Sequence, residues 1–359
     1  MKLYVLTEPL FRSSPWCVRI VSGLHEALRS KKLEASYLEA AGELPLPAEA
    51  EPGFVLVIGC NPDWVDSGIA EAKRRRLHPV VISCSEPGLP FGVSAVCTSA
   101  DEATAALLNV LKLGGRKRPA LYGCNPDSLS DRRKEQSFLS NPIFPVTKDD
   151  VFVNRGSLVG CYSDFRARIS EYDSVICVNS YSALHLTKKL KAEGIDRMTA
   201  SFGDARLLHR CAPGILTVSA RYEEFGKAAV SVCEQLSKNP ALEAMLLYVR
   251  WDTSRLGGGG ADPVHAAAAE PSTADTRFYG DADMRNMLSL ENMLLSCSDT
   301  QLNILDLLLD GRSAEDIAEQ CYLSLSSVKY NIRRLEQLAD CGTKAELLAK
   351  MRAYTDGSR

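Results

Sequence analysis

The sequence predicts an α/β chain: a front domain of two lobes, each built on a parallel β-sheet, followed by a small all-α domain. Three observations predict it. Strand-length apolar runs alternate with amphipathic stretches of helix length from residue 1 to residue 252. A segment rich in glycine, proline and alanine then interrupts the pattern, and four short capped helical segments close the chain.

In the front domain the runs KLYVLT, EASYL, GFVLVIG, HPVVISC and AVCT are separated by helical segments near 15–29 and 63–76, with another at 101–112. RPALYGC, DVFVN, DSVICVN, MTASFG and ILTVSA come after them in the same rhythm, and LLYVRWDT reads as a last strand. Runs apolar on both faces and joined by helices indicate parallel sheets covered on two sides. So many strands exceed what one open twisted sheet usually holds, which favours two lobes. The break is expected near LKLGGRKRPALYG, where Gly114, Gly115 and a cluster of cations precede a new strand. Two lobes imply a cleft between them. Ligands of doubly wound sheets sit at the carboxyl ends of strands, so the loops after Leu6, Gly59, Gly123, Val178 and Phe202 are expected to face it.

The segment from 253 to 283 lacks a sustained apolar period and reads as a flexible linker. Apolar residues return from Met284 to Leu295, as in a connecting helix. Side-chain acceptors then mark helix starts: Ser298 with Gln301, Ser313 with Asp316, Thr343 with Glu346, and Ser324 without an acidic mate. Gly311 stands where a left-handed residue ends a helix. In SLSSVKYNIRRLEQLA, residues 324 to 339, helical spacing puts Val328, Ile332, Leu335 and Ala339 on one stripe. Ser326, Lys329, Tyr330, Arg333 and Gln337 fall opposite, flanked by Arg334. Such a row of donors with one aromatic suits a DNA major groove or its phosphates. From residue 297 onward eight Lys and Arg stand against ten Asp and Glu, a net of −2, so the tail is no general polycation. Binding would rest on the strip Lys329, Arg333 and Arg334, and on two copies acting together.

The passage from Cys297 to Leu348 resembles the LuxR-type helix-turn-helix and aligns to its pattern without a gap. The likeness lies in Gly311 and Ser313, the triplet Asp316-Ile317-Ala318, Leu323-Ser324, and Ser327-Val328-Lys329 for the family's Thr-Val-Lys. It departs at Gln301 for a usual Glu, Glu315 for a common Lys, and Ala339-Asp340-Cys341 for Leu-Gly-Val. The resemblance implies a DNA-binding domain over 284–359, with Ser326, Ser327, Lys329, Tyr330, Arg333 and Arg334 at the DNA.

The second half of the front domain resembles the ligand-sensing domain of LacI-type repressors, which is also the fold of type I periplasmic binding proteins. Four passages carry the likeness: RPALYGCNPDSLSDRRKEQSFL, DSVICVNSYSALHLTKKLKAEGI, TASFGDARLL and PGILTVSARYEEFGKAAVSVCEQL. The first 115 residues share only the rhythm. The resemblance implies a two-lobed sensor over 1–252, with Arg132 as a cleft arginine and Asn179 as the Asn of an Asn-Asp pair. Ser180 replaces that Asp, Gly203 replaces the first Asp of another pair, and Asp204 keeps the second. Each residue also has a plain structural use. Asn179 is suited to capping a helix starting at Ser180, and Arg132 to pairing with Asp127 or Asp131. Trp16 and Trp64, each at a helix start after a strand-end loop, suit either stacking on a ligand ring or core packing.

Several classes are disfavoured. There is no phosphate loop, Gly-x-Gly-x-x-Gly after the first strand, Gly-x-Ser-x-Gly or His-Glu-x-x-His, so no enzyme activity and no cofactor is expected. Twelve cysteines scattered singly, several directly after apparent strands (Cys60, Cys84, Cys124), read as buried reduced thiols, and the five histidines show no metal-ligand spacing with them. The amino terminus lacks a secretory signal and no long apolar stretch occurs, so a cytoplasmic protein without a membrane span is expected. The resulting expectation is a ligand-responsive transcriptional regulator. Its partners would be double-stranded DNA, a small polar ligand (a sugar, nucleoside or similar molecule) and a second copy of itself. Because the sensor begins at Met1, a tail module would replace the front-end DNA module usual in LacI-type proteins. A loose linker would direct regulation through dimer geometry or local concentration. The competing expectation is a solute-sensing scaffold whose helical tail binds a protein partner.

Overall fold

The computed structural model describes residues 1–46, 52–83, 88–257 and 281–355. The amino-terminal lobe runs β1 (Lys2–Thr7), α1 (Pro15–Lys31), β2 (Ala35–Leu38), β3 (Gly53–Ile58), α2 (Pro62–Arg74), β4 (His78–Ile82) and β5 (Ser94–Cys97), with every strand pair parallel. Strand β3 is buried at all six positions, as a strand covered on both faces must be. Helix α2 starts where Asn61 accepts the Trp64 amide and Pro62 fills the first turn, a position that needs no amide donor.

The carboxy-terminal lobe continues with α3 (Ala100–Leu113), β6 (Pro119–Cys124), α4 (Leu129–Ser140), β7 (Val151–Val153), α5 (Leu158–Ala167), β8 (Ser174–Cys177), α6 (Ser180–Ala192), β9 (Met198–Phe202), α7 (Arg206–Cys211) and β10 (Leu216–Ala220). The chain then returns through α8 (Tyr222–Lys238) and β11 (Leu246–Tyr248) to the first lobe, and ends the domain at β12 (Trp251–Asp252) in the second. The sheet orders are β11-β5-β4-β3-β1-β2 and β12-β10-β9-β8-β6-β7. The second of these pairs in parallel except where β12 runs antiparallel to β10. Both lobes therefore reverse strand order at one point, between β1 and β3 and between β6 and β8. Doubly wound sheets open a crevice at such a point.

Two expectations are corrected. The lobe boundary lies before α3, at Thr98–Ser99, and not at 114–118, because α3 packs on α4, β9 and β10 of the second lobe. Helix α8 returns the exchange by packing on α1, β4 and β5. The glycines at 114 and 115 end a helix, with Gly115 at φ +75°, rather than a lobe. The run LLYVRWDT is two strands in two sheets: Leu246–Tyr248 pairs with β5, and Trp251–Asp252 pairs with β10.

Five helices close the described chain: α9 (Ala282–Ser296), α10 (Asp299–Leu309), α11 (Ala314–Gln320), α12 (Leu325–Leu338) and α13 (Lys344–Thr355). Ser298 with Gln301 and Ser313 with Asp316 form capping boxes, and Ser324 accepts the Ser327 amide. Thr343 accepts the Glu346 amide, while the Glu346 carboxylate takes the Gly342 amide. Gly311 has φ +79°.

Of the linker expected over 253–283, residues 258–280 lie outside the described residues. Helix α9, just beyond it, is firmly seated. Met284, Met287, Leu290, Met293 and Leu294 of α9 join Leu207, Leu208 and Cys211 of α7 in one buried cluster, which also takes in the α10–α13 core. Arg210 pairs with Asp306, and Lys188 lies 4.6 Å over the Tyr354 ring. Full burial of a leucine-sized side chain stabilises by about 1.5–3 kcal/mol, and the five from α9 share theirs between α7 and the helices that follow. The described cysteines are free, eight of eleven buried; Cys84 lies outside the described residues. Among the described residues no helix is long and apolar enough to cross a membrane.

Candidate functional site

The crevice between the lobes forms a cavity of about 170 Å³ at the two switch points. The loop after β1 contributes Phe11, Ser14 and Trp16, the loop after β3 contributes Gly59 and Cys60, and the loops after β6, β8 and β9 contribute Asn125, Asn179 and Asp204. All five loops expected to face the cleft do so, because parallel strands point their carboxyl ends to one side. Tyr222 and Trp251 join from the crossing segments, and Phe202 from the end of β9. Trp16 and Phe11 lie 5.9 Å apart, and Phe202 and Trp251 also 5.9 Å apart, so each lobe offers an aromatic pair. Aromatic plates facing hydrogen-bonding side chains suit a polar molecule with an apolar face.

Glycine is required at the floor. A Cβ on Gly59 would lie 2.8 Å from the Trp64 ring and 3.0 Å from the Glu8 carboxylate. Glu8 is buried and accepts the Cys60 and Asn61 amides at 2.8 and 3.1 Å, which ties the ends of β1 and β3 together. Burial raises its pKa despite those donors. Gly203 has φ +92°, and a Cβ there would meet Ser180 Oγ at 2.6 Å. That hydroxyl accepts the Ala205 amide at 3.0 Å. The two departures from the LacI-type pattern, Ser180 and Gly203, thus touch and hold one loop.

The cleft's cations are already paired. Arg19 forks onto Glu223 at 2.7 and 3.0 Å and lies 3.7 Å from Asp204 of the other lobe. Burial works against its charge, but Glu223 and Asp204 outweigh it and its pKa is raised. Lys134 is 7% exposed and donates to Val178 O at 2.8 Å and Asp131 at 3.2 Å. Burial raises the Asp131 pKa although Lys134 pulls it down.

One wall comes from the carboxy-terminal helices. Glu291 and Leu295 of α9 line the cleft, and the Glu291 carboxylate accepts the Arg206 and Leu207 amides at 3.0 and 2.9 Å. The Arg206 guanidinium donates to Leu294 O at 3.1 Å. Burial pushes the Glu291 carboxyl up to about 7; its two backbone donors oppose this, Asp204 adds to the rise and Arg206 resists it.

Helix α12 has the opposite character. Val328, Ile332 and Leu335 are buried against α10, α11 and α13, with Ala339 at the helix end. Ser326, Lys329, Tyr330, Arg333, Arg334 and Gln337 are exposed, with Tyr330 at 68%, and Ser327 is half-buried. Neither Lys329, Arg333 nor Arg334 forms an ion pair among the described residues. Tyr322, in the turn before α12, is 96% exposed with φ +56°.

Solved structures of transcriptional regulators resemble the chain. The regulator CelR in complex with cellobiose has a TM-score of 0.58 at 16% identity, over 70% of this chain and 81% of that one. A LacI family regulator from Weissella paramesenteroides with bound sucrose has a TM-score of 0.53 at 17% identity, over 70% and 96%. One from Enterococcus faecium with bound ribose has a TM-score of 0.53 at 14% identity, over 70% and 97%. The chain shares the LacI-type fold. No protein-family model and no curated protein matches it.

Within that fold the cleft brings together Trp16, Asn179 and Asp204, but not Arg132 or Trp64. Asn179 is a cleft wall and a helix cap at once, its Oδ1 accepting the Tyr181 and Ser182 amides at 3.1 and 2.9 Å. Arg132 is exposed on the outer face of α4 beside Glu135 and Gln136, since a residue two positions before the inward Lys134 points away on a helix. Trp64 is half-buried and packs on Gly59 and the outer core of the first lobe. Sequence reasoning missed Arg19, Lys134 and Glu291. Glu291 had a signal: it is a carboxylate on the apolar stripe of Met284, Met287 and Leu294.

Proposed function

We propose that the protein is a ligand-responsive, DNA-binding transcriptional regulator that takes a small polar molecule in the interlobe cleft and reads DNA through α12, acting as a homodimer. The observation that carries the reading is the face of α12. Lys329, Tyr330, Arg333 and Arg334 stand exposed on a helix whose other side is anchored by Val328, Ile332 and Leu335. Free cations in one row neutralise phosphates and fork onto guanine edges, whereas a helix that serves packing alone has no use for them. The LuxR-like spacing of the tail and the LacI-type fold of the front support the same assignment.

The cleft favours a neutral, hydroxyl-rich ligand. Its aromatic pairs supply stacking surface, Asn125, Asn179 and Ser128 supply hydrogen bonds, and Arg19 and Lys134 are taken by internal carboxylates. The structural neighbours hold cellobiose, sucrose and ribose, which makes these three the first to try.

Two measurements test the reading on the full chain. Fluorescence anisotropy with random-sequence duplexes should show binding that weakens steeply with salt, and a Lys329→Ala/Arg333→Ala double variant should lose it. Thermal denaturation with the three sugars should reveal stabilisation by at least one. Salt-insensitive retention of a protein partner, with no duplex bound, would instead make the tail a protein-binding module.

A further inference from the structure

The cleft of this protein is not closed by its two lobes alone. Helix α9 touches α1 of the first lobe and α6 and α7 of the second, and it supplies Glu291 and Leu295 to the cleft wall. Polar contacts join α9 to the cleft loop and α7 at Glu291 and to the end of α12 at Ser289. Arg19 of the first lobe faces Asp204 in the loop before α7. That loop is held by Ser180, and the first two amides of α7 end on Glu291. Two residues earlier on α9, Ser289 donates to Ala339 O at the end of α12, and Lys350 of α13 donates to both. A buried carboxyl group aimed at two backbone amides resists shifting with either neighbour alone, because buried polar groups left without partners are costly.

We propose that the carboxy-terminal helical unit is part of the ligand site, with Glu291 as its positioning residue, so that occupancy of the cleft and the placement of α12 are one equilibrium. The proposal rests on the sensor function proposed for the cleft and adds its route of regulation. A ligand that engages Asp204 or opens its pair with Arg19 moves the loop that Glu291 grips, and α9 carries α12 with it. Coupling of this kind needs a ligand with unequal affinity for the two placements, and it is reciprocal: whatever α12 binds changes the cleft.

Hydrogen-exchange mass spectrometry on the full chain tests this with neither DNA nor ligand present. Asp204→Asn removes the carboxylate facing Arg19 and leaves in place both hydrogen bonds by which Glu291 holds α7. It is expected to speed exchange by about tenfold in α9 and in α12, while α2 and β4 keep wild-type rates. Glu291→Gln is expected to speed exchange reciprocally in the cleft loop at 178–181, which Glu291 does not bond. Unchanged α9 and α12 in Asp204→Asn overturns the proposal. So does a Glu291→Gln effect confined to α9 and the start of α7. Should Glu291→Gln fail to fold by circular dichroism, the Asp204→Asn result alone decides. A tail that binds no duplex would sink the DNA reading without altering these rates. A DNA-binding tail with uncoupled exchange would sink only the route proposed here.

Discussion

The cleft and the outer face of α12 use the same two cationic side chains in opposite ways. In the cleft, Arg19 and Lys134 are nearly inaccessible and end on Glu223, Asp204, Asp131 and Val178 O. On α12, Lys329, Arg333 and Arg334 reach solvent without an ion pair among the described residues. A cation that is buried and paired shapes a wall, and one left free on a rigid helix remains available to an outside anion. Exposure thus separates the two roles where residue type does not.

The sharpest way to break this contrast is to remove one cation from each region and measure stability. Lys134→Ala strands the buried Asp131 and is expected to cost about 3–5 kcal/mol. Arg333→Ala should stay within about 0.5 kcal/mol of wild type. Urea denaturation midpoints at constant slope decide between them. Equal losses would mean that α12 holds its cations for packing.

The pH dependence of stability is the second-largest effect, and its sign is set by Glu291. The folded-state pKa, about 7, lies above the ordinary carboxyl value of 4.5, so folding takes up a proton between these values. The stabilisation is fully present below about pH 4.5 and is lost as pH rises through about 7, by at most about 3 kcal/mol. Asp131 and Glu8, also raised by burial, slope the same way, and the paired Asp316 and Asp252, lowered by their donors, slope oppositely. The informative quantity is therefore the difference between wild type and Glu291→Gln, measured from pH 5 to pH 8. A difference flat with pH would show that Glu291 is ionised throughout.

On the α12 side, each of Lys329→Ala and Arg333→Ala should weaken duplex binding by about 1–3 kcal/mol if it contacts a base, or lower the salt slope by about 1 if it contacts phosphate. Tyr330→Ala should act more weakly and without changing the slope. Salt titrations of anisotropy distinguish these cases. Loss of affinity with an unchanged slope in both cationic variants would turn the strip from phosphate binding to base reading.

How much of this was legible in the sequence differs between the two regions for a physical reason. The tail is local: caps at Ser298, Ser313 and Ser324 and the stripe Val328, Ile332, Leu335 depend on residues three or four apart, and all appear where their spacing put them. The cleft is non-local. Its loops were legible because each succeeds a strand, yet the charges that meet there come from α1, α4, α8 and α9, and no spacing rule brings Arg19 to Glu223 or Glu291 to Arg206. The seat of α9 against α7 is non-local in the same way. Its apolar residues announced a buried face, but the composition of the linker before it suggested freedom.

Arg132 offers the smallest expected effect and the finest test of the contrast. The family resemblance puts an arginine of the cleft at this position, while α4 turns it outward and gives the inward place to Lys134. Arg132→Ala should therefore change stability by less than about 0.5 kcal/mol. It should also leave the thermal shift caused by whichever sugar binds at its wild-type value, whereas Asn179→Ala should reduce that shift and lower stability by about 1 kcal/mol through the lost cap. A ligand-dependent shift abolished by Arg132→Ala would require α4 to rotate on binding and bring a free guanidinium into the cleft. The paired cations Arg19 and Lys134 would then belong only to the empty state, and the distinction between the two regions would hold only until a ligand arrives.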